Sequence, residues 1–335
     1  VDGINRIAGQ AGSLGGDPMK CFVKGAGALA LAALLGAASQ AGAKIAVDPA
    51  LPDYQAAAGL TGSLNSVGSD TLNNVMTLWA ERFQQLYPGV KIQIEGKGSA
   101  TAPPALIAGT AQLGPMSREM KSTEVDDFVK KYGYKPTQVK VALDALSVFL
   151  NRDNPVGKLT LPEVDAIFSK TRRGGHREIS NWSDLGGANE AITLYGRNSA
   201  SGTYAFFKEN ALFGGDYKNE VQEQPGSASV VSAVGRDKAG IGYSGMGYRT
   251  SAVKAARIAK EQGGEYVAAT AANVYNGKYP LKRYLYIYVN KAPGKDMDPL
   301  VAEFVKFALS KQGQEYTIKD GFLPLPASVA SAAIE

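Results

Sequence analysis

One local pattern recurs three times in this chain: a short β-like run, a turn rich in glycine and small hydroxyls, then a helix-like run. The sharpest copy is Gly196-Arg197-Asn198-Ser199-Ala200-Ser201-Gly202-Thr203, set between Ile192–Tyr195 and Tyr204–Leu212. A second, Val67-Gly68-Ser69-Asp70-Thr71-Leu72, follows Leu64-Asn65-Ser66. It opens an amphipathic stretch with Val75, Leu78, Trp79, Phe83 and Leu86 at helical spacing. The third, Gly96-Lys97-Gly98-Ser99-Ala100-Thr101, follows the alternating Val90–Ile94 and leads into Pro103-Pro104, and proline is tolerated early in a helix. Repeated strand–turn–helix units predict α/β layers with mostly parallel sheets. In such sheets these turns gather at the carboxyl ends of the strands, where ligands bind.

The chemistry of the turns points to an anion. Each helix start offers unpaired backbone N–H groups and the positive end of a helix dipole. Arg197 adds a planar guanidinium able to grip a tetrahedral oxyanion. Three converging turns predict a preorganised anion pocket.

The remaining composition removes competing functions. The net charge of +5 is spread along the 335 residues without a Lys/Arg block, which argues against nucleic-acid binding. His176 is the only histidine and Cys21 the only cysteine, so a Ser-His-Asp triad or a zinc site has almost nothing to use. Gly240-Ile241-Gly242-Tyr243-Ser244-Gly245 has dinucleotide-like glycine spacing but lacks the strand before it, and reads as a glycine-rich turn into a strand. Neither a P-loop nor a Gly-x-Ser-x-Gly elbow occurs. Anion binding without an engine for catalysis predicts a receptor.

Residues 19–43 read as an export leader: Met19-Lys20 and Lys24, an uncharged apolar stretch Gly25–Ala38, and the small-x-small site Ala41-Gly42-Ala43. The apolar run is short of the ~20 residues a membrane span needs. Export to the periplasm is expected, with further secretion or surface association left open, and residues 1–18 are set aside as extraneous. Residues 44–59 read as a linker. Val139–Leu150 is a long apolar run broken by Lys140 and Asp144, as expected of a strand passing from one domain to another. Thr160-Leu161-Pro162-Glu163 is a capping box, Ser227–Val234 a helix, and Tyr284–Val289 a return strand.

Several motifs together carry a family resemblance. They are Val67–Leu72, Gly98-Ser99-x-x-Ala102-Pro103, Gly114-Pro115-Met116-Ser117-Arg118, Gly196–Tyr204, Gln224-Pro225-Gly226-Ser227-Ala228-Ser229, Gly240–Tyr243 and Lys319-Asp320-Gly321-Phe322-x-Pro324-Leu325. From Leu51 onward the chain resembles the periplasmic phosphate-binding proteins of Pst-type ABC transporters. The resemblance implies a two-domain solute-binding protein (type II) fold, residues 60–143 with 285–335 against 144–284, joined by two crossing hinge strands. It implies inorganic phosphate as ligand and a membrane permease with its ATPase as partners, with no cofactor, metal or catalytic residue. Thr71, Leu72, Ser99, Arg197, Ser201, Gly202 and Thr203 match the family's anion ligands. Where better-known relatives carry an aspartate that accepts the phosphate proton, this chain has Ser117. Asp70 is the expected replacement and Asp144 the reserve, with Ser117 left as a donor. The alternatives are a receptor for sulfate, molybdate or arsenate, or a secreted phosphatase-like enzyme.

Overall fold

Residues 45–332 are described by a computed structural model, so the leader and the extension before it lie outside the described residues. The first half-units run β1 (Gly62–Val67), α1 (Asn73–Leu86), β2 (Val90–Glu95), α2 (Ala102–Ala108), β3 (Gly114–Met116) and α3 (Ser122–Tyr132). β4 (Thr137–Asn151) leads to β5 (Lys158–Thr160), α4 (Leu161–Phe168), β6 (Thr193–Arg197), α5 (Gly202–Ala211), β7 (Gln222–Gln224) and α6 (Ser227–Arg236). The chain continues through β8 (Gly240–Gly245), β9 (Val253–Ala255), β10 (Arg257–Ala259), α7 (Ala271–Tyr275) and β11 (Lys282–Val289). Three helices close it: α8 (Pro299–Leu309), α9 (Lys311–Lys319) and α10 (Ala327–Ser331).

β1 and β2 pair in parallel, and a bridge from Ser66 to Leu113 ties them to the start of β3. The main sheet has the order β3-β11-β4-β8-β6-β7, with β9 also on β4. β4 is the shared strand: Thr137–Ala145 pairs with β11, and Leu146–Leu150 pairs with β8. From Val141 onward every residue of β4 is buried, which is why it reads as one apolar run rather than an alternating strand. Its two polar interruptions have long-range partners. Lys140 sits 4.5 Å over the Tyr284 ring, and Asp144 is paired with Arg283.

Two aromatic clusters anchor the packing. Phe83 of α1 meets Phe304 and Phe307 of α8 at 5.4 and 5.9 Å between ring centroids. On the other side of β4, Phe207 stacks on Tyr243 at 3.9 Å. The Thr160 capping box forms as expected, with Thr160 Oγ1 accepting from Glu163 N and Glu163 Oε2 accepting from Thr160 N.

Two expectations change. Gly240–Tyr243 is not a turn into a strand but the strand itself, buried throughout. Glycine is required there because a Cβ on Gly242 would come within 3.0 Å of Val230, Val234 and the Tyr195 carbonyl. The stretch read as a linker is docked: Leu51 is buried, Lys311 N donates to Pro52 O, and Tyr54 OH bonds Tyr87 OH at 2.6 Å.

Asp320, just past α9, sits in a poorly solvated position with Oδ2 buried and unpartnered. Burial pushes its carboxyl up to about 7, against the Val75 N–H and the Asn74 side chain, which both favour the charged form. A folded-state value above the unfolded 3.8 means the native state holds a proton that the unfolded chain releases. Its contribution is therefore complete below 3.8 and is lost as pH rises through about 7. Asp320→Asn is expected to flatten this decline, raising the urea midpoint at pH 8 while changing it little at pH 4.

Candidate functional site

The turn after β1 is held by Gly68 N donating to Glu95 O and Ser69 N to Pro115 O, at 2.9 and 2.7 Å. Only glycine fits at 68, since a Cβ would press into Pro115 O. The chain then makes a 3-10 turn, Asp70–Leu72, before α1. Leu72 buries its side chain in the core, so only its backbone can serve a ligand. The turn after β2 is tied to the first through Gly98 N, which donates to Gly68 O at 2.8 Å. Gly98 has φ +120°, the region that favours glycine, and its missing Cβ lets Ala200 O approach.

Ser117, just after β3, lies at the centre of a hydroxyl cluster. Ser69 Oγ donates to Ser117 Oγ at 3.0 Å, Ser117 N donates to Ser99 Oγ at 3.0 Å, and the Ser99 and Ser117 hydroxyls are 3.3 Å apart. All three serines are essentially buried. The third turn reaches across to them. Ala100 N donates to Ala200 O at 3.1 Å, and Thr71 Oγ1 bonds Thr203 Oγ1 at 2.9 Å. Ser201 caps α5, accepting from Thr203 N and Tyr204 N. Gly202 packs directly on the Ser99 and Ser117 hydroxyls.

Arg197 ends β6 with its side chain 2% exposed. Its Nη1 donates to Ser227 Oγ at 2.8 Å and lies 3.2 Å from Asp70 Oδ2. Its Nε is buried without a partner. Burial lowers its affinity for the proton and Asp70 opposes that, but a guanidinium remains a cation here.

The nine residues expected to bind the anion, Asp70, Thr71, Leu72, Ser99, Ser117, Arg197, Ser201, Gly202 and Thr203, are thus in or beside one cluster. Asp70 does not cap α1. Its Oδ2 accepts from Ser227 N and Ser227 Oγ, both at 2.9 Å, and Oδ1 takes none of these donors. Asp144 is fully buried and committed elsewhere: Arg283 Nε and Nη2 grip its Oδ2 at 2.9 and 2.8 Å, and Met246 N donates to Oδ1. Both oxygens are already engaged, Oδ2 twice by Arg283 and Oδ1 once by Met246 N, so Asp144 serves first as the partner of Arg283. Arg283 Nη1 also donates to Ser117 O at 3.0 Å, fastening the serine cluster to β11.

The sequence reading did not single out Ser227, Tyr248 or Arg283 as site residues. Tyr248 OH donates to the Asp70 and Thr71 carbonyls. Ser227 carried a legible signal, because β7, Pro225-Gly226 and α6 form a fourth strand–turn–helix unit. Among the described residues there is no group of three His, Cys, Asp or Glu that could hold a metal.

Residues 54–312 match the model of the PBP superfamily domain. Over 310 residues the chain is 56% identical to the phosphate-binding protein PstS of Pseudomonas aeruginosa, covering 91% of this chain and 95% of that one. The chain belongs to the PstS family. Its α/β binding-protein fold agrees with solved PstS-like structures. A phosphate ABC transporter substrate-binding protein from Clostridium perfringens, solved with bound phosphate, superposes with a TM-score of 0.68 at 26% identity, covering 79% of this chain and all of that one. An ABC-type phosphate transport receptor from Vibrio cholerae shares the fold with a TM-score of 0.63 at 22% identity, covering 78% of this chain and all of that one. A more distant PstS, from Staphylococcus epidermidis, is 30% identical and covers 76% of this chain and 77% of its own length.

Proposed function

We propose that this chain captures inorganic phosphate in the periplasm and presents it to a membrane permease driven by an ATPase. It is a receptor and performs no covalent chemistry. The observation that carries this reading is the convergence of three helix-opening turns on a single hydroxyl cluster, with one buried guanidinium paired to Asp70 of the first turn. Such a set solvates an oxyanion with neutral dipoles and one fixed cation.

The ligands proposed are the hydroxyls of Thr71, Ser99, Ser117, Ser201 and Thr203, the N–H groups of Leu72, Gly202 and Thr203, the Arg197 fork, and Asp70. Two lobes, residues 60–143 with 285–335 and residues 144–284, close over the anion, with β4 and β11 as the crossing strands. The closed form is the one the permease reads.

Asp70 supplies the selectivity. Phosphate near neutral pH carries a hydroxyl, whereas sulfate presents only acceptors. A carboxylate in the site accepts that hydroxyl and repels the fully ionised sulfate. Oδ2 is held by Ser227 and Arg197, which leaves Oδ1 for the phosphate proton. Asp70→Asn is expected to lower the phosphate-over-sulfate affinity ratio by about tenfold to a hundredfold, the range for a hydrogen bond to a charged group. Competition binding with sulfate, molybdate and arsenate measures it. Full selectivity in this variant would remove Asp70 from the role.

A further inference from the structure

Ser227 stands at the meeting point of Arg197 and Asp70, a cation and a carboxylate that the site brings face to face. It is 1% exposed and opens α6. Its hydroxyl accepts from Arg197 Nη1 and donates to Asp70 Oδ2, and its backbone N–H donates to the same carboxylate oxygen. Gly226 before it clears the way: a Cβ there would lie 3.0 Å from Asp70 Oδ1.

The pattern of used and unused atoms is informative. The side edge of a guanidinium presents two parallel donors, Nε and Nη2, and Arg283 uses both on Asp144. Arg197 spends Nη1 on Ser227 and Asp70 instead. Its Nη2 reaches only a 3.5 Å contact with Pro225 O, and Nε has no partner at all. A buried donor left unpaired is costly, and an oxyanion bound beside Arg197 would pair this one. On Asp70 the same division holds, with Oδ2 occupied and Oδ1 spared.

We infer that Ser227 is a positioning residue for the anion: it pins Arg197 by Nη1 so that the Nε–Nη2 edge turns to the ligand, and pins Asp70 by Oδ2 so that Oδ1 receives the ligand's hydroxyl. Ser227 need not touch the anion. The inference rests on the oxyanion reading of the site and adds a residue outside its ligand set. It requires that Ser227 govern selectivity through two other side chains, and only while both are charged.

The test is calorimetric titration of phosphate and of sulfate into wild type, Ser227→Ala and Ser227→Thr, with thermal midpoints recorded for each. Removing one hydrogen bond shared by two charged groups is expected to cut phosphate affinity about tenfold. Sulfate uses the Arg197 edge but not Asp70 Oδ1, so its affinity falls less than that of phosphate and the phosphate-over-sulfate ratio falls. Ser227→Thr keeps the hydroxyl and restores most of the ratio, and the midpoints of both variants stay near wild type. In an Asp70→Asn background, Ser227→Ala is expected to move the ratio by less than about twofold, because the coupling partner is gone. An unchanged ratio in folded Ser227→Ala, or an equal loss with and without Asp70, overturns the positioning role. Failure of the oxyanion reading itself shows separately, in a wild-type trace with no heat from either anion.

Discussion

Arg197→Ala is expected to weaken phosphate binding by about a thousandfold. Two charge-assisted hydrogen bonds from one guanidinium edge contribute roughly 3–5 kcal/mol, which converts to that range. The loss is deepened by Asp70. Its carboxylate lies 3.2 Å from Arg197 Nη1, and without that cation it faces the incoming anion with like charge. Arg197→Lys should recover little of this, because an ammonium is a point charge and cannot present a planar double donor. Thermal unfolding of the anion-free protein is the control. The variant also loses the Ser227 and Asp70 contacts of the guanidinium, so the midpoint falls too, partly offset by removal of the unpaired Nε. The affinity is therefore read below the variant's own midpoint. Calorimetry or competition with labelled phosphate reads the affinity directly.

Gly202→Ala is the second large effect, and it acts through shape rather than charge. A Cβ at this position would lie 2.6 Å from Ser117 Oγ and 2.9 Å from Ser99 Cβ, and closer still to the Ser99 hydroxyl. Its φ is negative, so alanine strains nothing locally, and the helix propensity of α5 improves slightly. The penalty is confined to the state in which α5 packs on the serine cluster. Overpacking of this kind costs about 1–3 kcal/mol. A lobe that can swing away escapes it, so the population shifts toward the open form and apparent affinity drops by about 10- to 100-fold. Small-angle scattering with saturating phosphate should then show a larger radius of gyration than wild type. Wild-type affinity in Gly202→Ala would mean that α5 and the serine cluster separate when phosphate is bound.

Much of this was legible locally. The three turns are written in Gly, Ser and Thr next to clear strand and helix patterns, and the structure brings all nine singled-out residues to one cluster. The capping box at Thr160 was equally readable because both partners lie within four residues. What stayed hidden was long-range. Lys140 and Asp144 look like breaks in an apolar strand, and only their partners on β11 explain them, 139 residues away in the case of Asp144 and Arg283. Gly240–Tyr243 read as a turn because glycines usually punctuate; here they make room for α6 against a buried strand. Ser227 was visible as part of a motif, yet its link to Asp70 spans 157 positions, and no local rule connects them. The burial of Asp320 is likewise a property of packing, not of its neighbours in sequence.

The most direct measurement is isothermal titration of phosphate into the chain beginning at Lys44, after carried-over anion has been removed by unfolding and refolding, with sulfate and arsenate titrated in parallel. Tight one-to-one binding of phosphate, with no heat from sulfate at the same concentration, is the predicted result. Equal binding of sulfate, or no binding of phosphate, would contradict it, and the converging turns would then serve a different anion.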